Sequence, residues 1–375
     1  MKLTIERAAF LKSLSHVQSI VERRTTIPIL ANVLVEAKGE DLSLTASDLD
    51  MEVVERVKAQ IEREGATTVP AHTLYDIVRK LPDGSQVDLD FSAVDQRLTV
   101  TASHATFTLA CLPREDFPAM TLGDLPHRFA LTVNDLARMV DKTRFAISNE
   151  ETRYYLNGIY LHVPEANEDG GPLVLRAVAT DGHRLARYQI EAPDGAPGMP
   201  GIILPKKAVG ELRKLIDGAE GPIEVALSDT KIRFAFGTIV LTTKLIDGTF
   251  PDYARVIPVG NDKVLEVGGK MLAEAVDRVS TISNEKSRAV KLNLSDGRMV
   301  LTVINPDSGN AKEELAVNYS SSDMEIGFNA KYLMDITSQL DGEKARILLA
   351  ESGSPTLVRD GADDSGLYVL MPMRV

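Results

Sequence analysis

The densest cluster of side chains able to do chemistry is Thr180-Asp181-Gly182-His183-Arg184-Leu185. An aspartate two residues before a histidine could share a proton in acid–base work, or hold a metal ion in a hydrolase. The same six residues suit a turn between strands, with Gly182 supplying the bend. The other histidines, at 16, 72, 104, 127 and 162, are scattered and bring no obvious second ligand. Asp48-Leu49-Asp50 and Asp363-Asp364 read more readily as solvated loops than as carboxylate dyads. No GxSxG, HExxH, P-loop or GxGxxG between a strand and a helix is present. The one cysteine, Cys111, excludes an intramolecular disulfide and a cysteine metal cluster. The residues therefore point away from catalysis, and no cofactor is expected.

Three other motifs could make contacts. Arg23-Arg24 follows a helical pattern, where it would complement the helix dipole or meet phosphate. Lys206-Lys207 begins a helix, where positive charge opposes the dipole, so phosphate contact gains weight. Tyr154-Tyr155, after Arg153, suits either a strand or a polar-aromatic contact surface. The segment Tyr368 to Val375 is apolar and carries Met371 and Met373; it reads as a last strand, or as an adaptable recognition surface.

The elements that must position these residues repeat. Arg-Lys-Leu at 79–81 recurs at 213–215, and Ile-Ser-Asn-Glu at 147–150 recurs at 282–285. Asp-Phe-Pro at 116–118 is echoed by Thr-Phe-Pro at 249–251. These spacings, 133 to 135 residues, are of domain size, and the 375 residues hold nearly three such lengths. Each unit reads strand, helix, strands, helix, strands. Helical spacing covers 7–24, 72–81, 134–144, 206–215, 270–278 and 330–340. Among the expected strands are 30–35, 42–49, 156–163 and 173–179, with a last one from 367 to 375. The fold class is α+β: three tandem copies of one domain, each with two helices on antiparallel sheets whose edges can pair.

Net charge is −12, which taken alone argues against nucleic acid. Its distribution changes that reading. The six helical segments carry sixteen basic and eight acidic side chains, a surplus of eight, so the remainder carries −20. Tryptophan is absent and aromatics are 5%, which disfavours base stacking as a main theme. No apolar run approaches the roughly 18–20 residues that span a membrane. The first residues lack a secretory pattern, so a cytoplasmic location is expected.

With these observations in hand, the chain resembles the β subunit of bacterial DNA polymerase III, the sliding-clamp family, along its whole length. The resemblance is carried by Ile27-Pro28-Ile29-Leu30, Arg153-Tyr154-Tyr155-Leu156-Asn157-Gly158, Ala179 to Leu185, Phe250-Pro251-Asp252-Tyr253, Ser283-Asn284-Glu285-Lys286 and Met371-Pro372-Met373-Arg374. It implies domains at 1–122, 129–252 and 255–375, in a head-to-tail homodimer closed into a ring around duplex DNA. It also implies a processivity factor without a catalytic site. Its partners would be the polymerase III α subunit, the clamp-loader δ subunit, translesion polymerases and mismatch-repair proteins, docking through short peptide motifs.

Carried over residue by residue, the partner pocket would comprise Leu156, Thr180, Gly182, His183, Arg184, Leu185, Pro251, Arg255, Val256, Asn329, Tyr332, Val369, Leu370, Met371, Pro372, Met373, Arg374 and Val375. DNA would meet Arg24, Arg79, Tyr154 and Tyr155, joined by Lys206 and Lys207 from the charge argument. His72 and Glu150 stand where Arg and Gln are expected. Phe107 would face Ile282 of a second copy, with His104 and Thr106 in place of basic neighbours and a thin acidic run at Asp307, Glu313 and Glu314. An interface resting on apolar contact and strand pairing is expected. The alternatives left open by the residues themselves are a metal-dependent hydrolase at Asp181 and His183, or a repeat scaffold unrelated to DNA.

Overall fold

A computed structural model of the chain describes residues 1–165, 171–283 and 288–374. Val375 and Asn284 to Lys286 lie outside the described residues. In chain order the first third runs β1 (Lys2–Glu6), α1 (Arg7–Gln18), β2 (Asn32–Lys38), β3 (Asp41–Ser47), β4 (Met51–Lys58), β5 (Gln60–Arg63), β6 (Gly65–Pro70), α2 (Ala71–Lys80), β7 (Gln86–Ser92), β8 (Arg97–Ala102) and β9 (Ala105–Ala110). The second runs β10 (His127–Thr132), α3 (Val133–Asp141), β11 (Gly158–His162), β12 (Val174–Thr180), β13 (Arg184–Glu191), β14 (Ile202–Pro205), α4 (Lys206–Leu215), β15 (Pro222–Leu227), β16 (Lys231–Phe236) and β17 (Ile239–Lys244). The third runs β18 (Lys263–Gly268), α5 (Gly269–Ser280), β19 (Ala289–Ser295), β20 (Arg298–Asn305), β21 (Gly309–Ala316), β22 (Met324–Asn329), α6 (Ala330–Thr337), β23 (Lys344–Leu349), β24 (Thr356–Asp360) and β25 (Gly366–Leu370). Apart from β5, the three runs match element for element, so the repeat read from sequence is a repeat of architecture.

Four antiparallel sheets result, and the chain clusters into two compact units, each holding two of them. One unit contains the sheet β5-β1-β7-β8-β9 and the sheet β10-β15-β16-β17-β4-β3-β2-β6. The other contains β14-β11-β12-β13-β25-β24-β23-β18 and β21-β20-β19-β22. Both eight-stranded sheets are made by edge pairing between repeats: β17 on β4 in one, β25 on β13 in the other. No described helix is long and apolar enough to cross a membrane.

The helices form where the apolar spacing demands. Phe10, Leu14 and Val17 of α1 are fully buried, each stabilising by about 1.5–3 kcal/mol. Glu6 caps α1 by accepting from Ala8 N and Ala9 N at 2.9 and 2.8 Å, and these two bonds hold its carboxyl below the usual range. Asn329 caps α6 in the same way. Proline precedes α2 and α4, where a missing N–H costs nothing.

Four expectations need correction. First, α1 ends at Gln18, not at residue 24, because Ile20 and Val21 turn inward, 1% and 4% exposed. Arg23 and Arg24 therefore sit in an exposed loop and complement no helix end. With observed boundaries the helices carry twelve basic and seven acidic side chains, a surplus of five against −17 elsewhere. Second, Tyr154 and Tyr155 lie in a short 3-10 segment, Glu151–Leu156, and the strand starts only at Gly158. Third, Pro28–Ala31 is a 3-10 turn, so its strand begins at Asn32. Fourth, the last strand stops at Leu370; beyond it Met373 makes one isolated bridge to Gly327.

Candidate functional site

Strands β12 and β13 are antiparallel neighbours, with Thr180 opposite Leu185, so Asp181 to His183 form the turn between them. Asp181 Oδ1 accepts from His183 N at 2.9 Å and Arg184 N at 3.1 Å, and Oδ2 accepts from Arg184 Nε at 3.1 Å. Gly182 has φ +87°, and a Cβ there would come within 2.7 Å of Arg153 Nη1. The aspartate is thus committed to the turn and is not held for acid–base work with His183. The turn reading is the one the geometry bears out.

Arg184 is 8% exposed and fully engaged. Its Nη1 donates to Asp335 Oδ2 at 2.5 Å and its Nη2 to Phe145 O at 2.6 Å. The guanidinium lies over the rings of Tyr332 and Phe145, 4.3 and 5.1 Å from their centroids. It braces β13 against α6 and the turn at 144–146. His183 is exposed and stacks on Tyr332 at 6.2 Å. Thr180 Oγ1 closes the turn by donating to Arg184 O at 2.7 Å.

Beside this brace lies an apolar floor. Leu156, Leu185 and Val369 pack into one buried cluster with Val178, Phe250 and Tyr253. Pro251 and Arg255 are exposed next to it, and Val256 is 50% exposed. Arg255 Nε pairs with Asp252 at 2.8 Å. The tail crosses from brace to β22: Met371 N donates to His183 O at 2.9 Å and Met373 N to Gly327 O at 2.8 Å. Leu370 is buried, Met371 is 39% exposed and Arg374 is exposed. Pro372, Met373 and Arg374 line one side of a cavity of about 600 Å³. Of the described residues expected in the pocket, Thr180 to Leu185 and Tyr332 meet at the brace, Leu156, Leu185 and Val369 meet in the floor, Asn329 caps the helix that carries Tyr332, and the tail joins brace to β22. Sequence reasoning missed Val178, Ile203, Tyr253, Leu357 and Leu367, ordinary strand or turn residues; Phe250-Pro251-Asp252-Tyr253 was the one visible signal.

An aromatic stack supports the floor. His162 stacks on Tyr160 at 4.6 Å, and Tyr160 stacks on Phe250 at 4.8 Å. His162 Nε2 pairs with the Tyr253 hydroxyl at 3.0 Å. Burial first, then the charges of Arg176 and Arg187, push the imidazole down to about 4. Its folded value lies below its unfolded one, so the neutral ring stabilises the fold above pH 6.5. That contribution is lost as pH falls from 6.5 towards 4. Between those limits wild type should lose about 2–3 kcal/mol more stability than His162→Gln, measured by urea unfolding at several pH values. Parallel stability curves for the two proteins would refute the assignment.

The positions expected to meet DNA are mostly on the surface. Arg24 is exposed; Arg79 is exposed and pairs with Asp76 at 3.0 Å. Tyr154 is 53% exposed and meets Tyr155 edge-on at 5.7 Å, while Tyr155 packs against the apolar floor. Lys206 Nζ donates to Asn149 Oδ1. Lys207 differs from the expectation: Asp48 at 2.5 Å and Glu22 at 3.0 Å already neutralise it. Burial alone would lower its pKa, but those carboxylates outweigh burial and raise it. His72 Nε2 is bonded to Val21 O at 2.9 Å, and Glu150 pairs with Arg153, so both have structural duties.

Phe107, on the outermost strand β9, is 36% exposed. Ile282 is half-buried, its carbonyl accepting from Asn305 Nδ2 at 2.9 Å. Ile304, 73% exposed at the end of β20, went unnoticed in the sequence. Glu313 and Glu314 are paired within the chain, to Arg278 at 2.6 Å and Arg298 at 2.5 Å.

Comparison with known proteins agrees with this geometry. The N-terminal, central and C-terminal domains of the DNA polymerase III beta subunit match residues 1–121, 130–252 and 254–374. The beta sliding clamp of Caulobacter vibrioides is 55% identical over 375 residues, covering all of both chains. A crystal structure of the Caulobacter crescentus clamp with PEG bound superposes with TM-score 0.97 at 54% identity, covering 100% of this chain and 99% of that one. A Bartonella birtlesii clamp bound to griselimycin gives TM-score 0.96 at 51% identity, covering all of both chains. The hydrolase and DNA-independent scaffold readings find no support in these matches. The chain belongs to the DNA polymerase III β subunit family: it is a sliding clamp, a non-catalytic processivity factor of three tandem domains.

Proposed function

We propose that two copies close head to tail into a ring, and that duplex DNA threads it. The carrying observation is an unfinished pattern of strand pairing. By position in the repeat, β4, β13 and β21 are equivalent, as are β9, β17 and β25. β4 takes β17 and β13 takes β25, which leaves β21 and β9 at sheet edges. Pairing β9 of one copy with β21 of another repeats the same junction, a heterologous contact that closes by symmetry. Phe107 on β9 and Ile282 and Ile304 near β21 supply apolar contact there. The domain limits 1–122, 129–252 and 255–375 place one copy of the repeat in each.

The positive helices α1, α2 and α4, with Arg24, Arg79, Tyr154, Tyr155 and Lys206, supply the sequence-independent attraction to phosphate. Topology then retains the ring, so weak contacts suffice and sliding is not impeded. The floor around Leu156, Leu185 and Val369, with the tail, takes short motifs of the polymerase α subunit, the clamp-loader δ subunit, translesion polymerases and mismatch-repair proteins in the cytoplasm. Griselimycin on the Bartonella relative supports a ligand-binding role for clamps of this kind.

The dimer has a direct test. Since Glu313 and Glu314 are satisfied internally, few ion pairs remain to cross the interface. Sedimentation equilibrium from 0.1 to 0.5 M NaCl should show a dimer whose dissociation constant changes by less than about threefold. A steep rise with salt would refute apolar closure, and a monomer at all concentrations would refute the ring.

A further inference from the structure

Next to the apolar floor lies a second cavity, of about 490 Å³. Leu357 and Leu367 belong to both, so the two spaces share a wall. Its other sides bring Ile257 and Pro258 together with Arg346, Arg359 and the buried Arg187, and Asp364 also lines it. Arg346 and Arg359 are directly opposite each other on β23 and β24. Like charges in that position repel and destabilise a sheet unless something neutralises them.

Little among the described residues does so. Arg359 has Asp364 at 3.6 Å, but that carboxylate is 91% exposed. Glu266 is Arg346's neighbour on β18, yet its Oε2 accepts from Asn318 Nδ2 at 3.0 Å. Among the described residues no carboxylate pairs with Arg346, and it is exposed. The space therefore offers apolar walls and, besides the buried Arg187, the guanidinium groups of Arg346 and Arg359, across a wall shared with the floor. A guanidinium fork matches a carboxylate.

We propose that this cavity is an anion subsite of the docking groove, which takes an aspartate or glutamate flanking the apolar residues of a docked partner segment. The inference rests on the floor being the docking groove. The charge complement defines the partner as an acidic-apolar peptide and gives the groove a polarity that the apolar floor lacks.

Calorimetry on the full-length protein tests it with peptides sharing one leucine–phenylalanine segment, extended at either end by Asp-Asp or by Ser-Ser. At 50 mM salt one Asp-Asp peptide should bind about fivefold tighter than its Ser-Ser counterpart. That gain should vanish at 500 mM salt and in Arg346→Ser/Arg359→Ser, with Ser-Ser binding unchanged as the control for folding. It should persist in Lys38→Ser/Lys80→Ser, which removes two exposed charges elsewhere. Equal affinities in wild type, or a gain that survives loss of both arginines, would overturn the subsite while leaving the groove intact. A gain lost in the lysine variant would overturn it as general charge attraction. Failure of every peptide to bind would overturn the groove and the subsite together.

Discussion

Phe107→Asp is expected to leave each chain folded and yet yield monomers. Phe107 is 36% exposed on a strand whose outer edge is free within its sheet. Its loss should spare the core, because its cross-strand partner Val100 is held from the other side by β7. In the ring, the new carboxylate would replace the Phe107 ring against the apolar side chains of Ile282 and Ile304, where the neighbouring Arg278 and Arg298 are already taken by Glu313 and Glu314. An uncompensated buried charge of this kind costs several kcal/mol. The dimer dissociation constant should rise by about a thousandfold, read by sedimentation velocity. Thr108→Asp, one residue on and facing the opposite side of the strand, should have a far smaller effect. A Phe107→Asp protein whose dimer dissociation constant equals that of wild type would place the interface elsewhere.

Arg184→Ala is expected to cost about 3–5 kcal/mol of stability. The guanidinium holds Asp181, Asp335 and the Phe145 carbonyl at once, inside two aromatic rings. Removing it leaves two carboxylates and a carbonyl facing a hole. Lysine should not rescue it, because a compact ammonium, though it has three donors, lacks the planar fork that spans Asp181, Asp335 and the Phe145 carbonyl at once. Partner binding should fall as well, since the Asp181 turn that anchors Met371 loses its support. Urea unfolding and peptide titration give the two readouts. A loss below about 1 kcal/mol would show that Arg184 lines the pocket without bracing it.

The repeat was legible because it is written in short identical phrases and in helical spacing, and it delivered the architecture. Strands β4 and β13 were harder, for a physical reason. β4 carries Glu55 inward, 4% exposed, where Ser13 Oγ and His16 Nδ1 satisfy it at 3.0 and 2.8 Å. β13 carries Arg184 and Arg187 inward, both 8% exposed. Buried charges break the apolar alternation that marks a strand, and their partners lie far away in sequence. The same remoteness hid the neutralisation of Lys207 by Glu22 and Asp48, and the role of Arg184 as a brace. The residues proposed for the pocket came from the resemblance. Their division into floor, brace and tail came from long-range pairing of β13 with β25.

Topological retention of the ring on DNA is tested most directly by one measurement. The clamp, loaded by a clamp loader with ATP onto closed circular DNA, is washed at high salt, and half of the sample is then linearised. The ring predicts retention on the circles and rapid loss from the linear molecules, whatever the strength of the contacts with phosphate. Equal retention on both forms, or loss from both in salt, would contradict it.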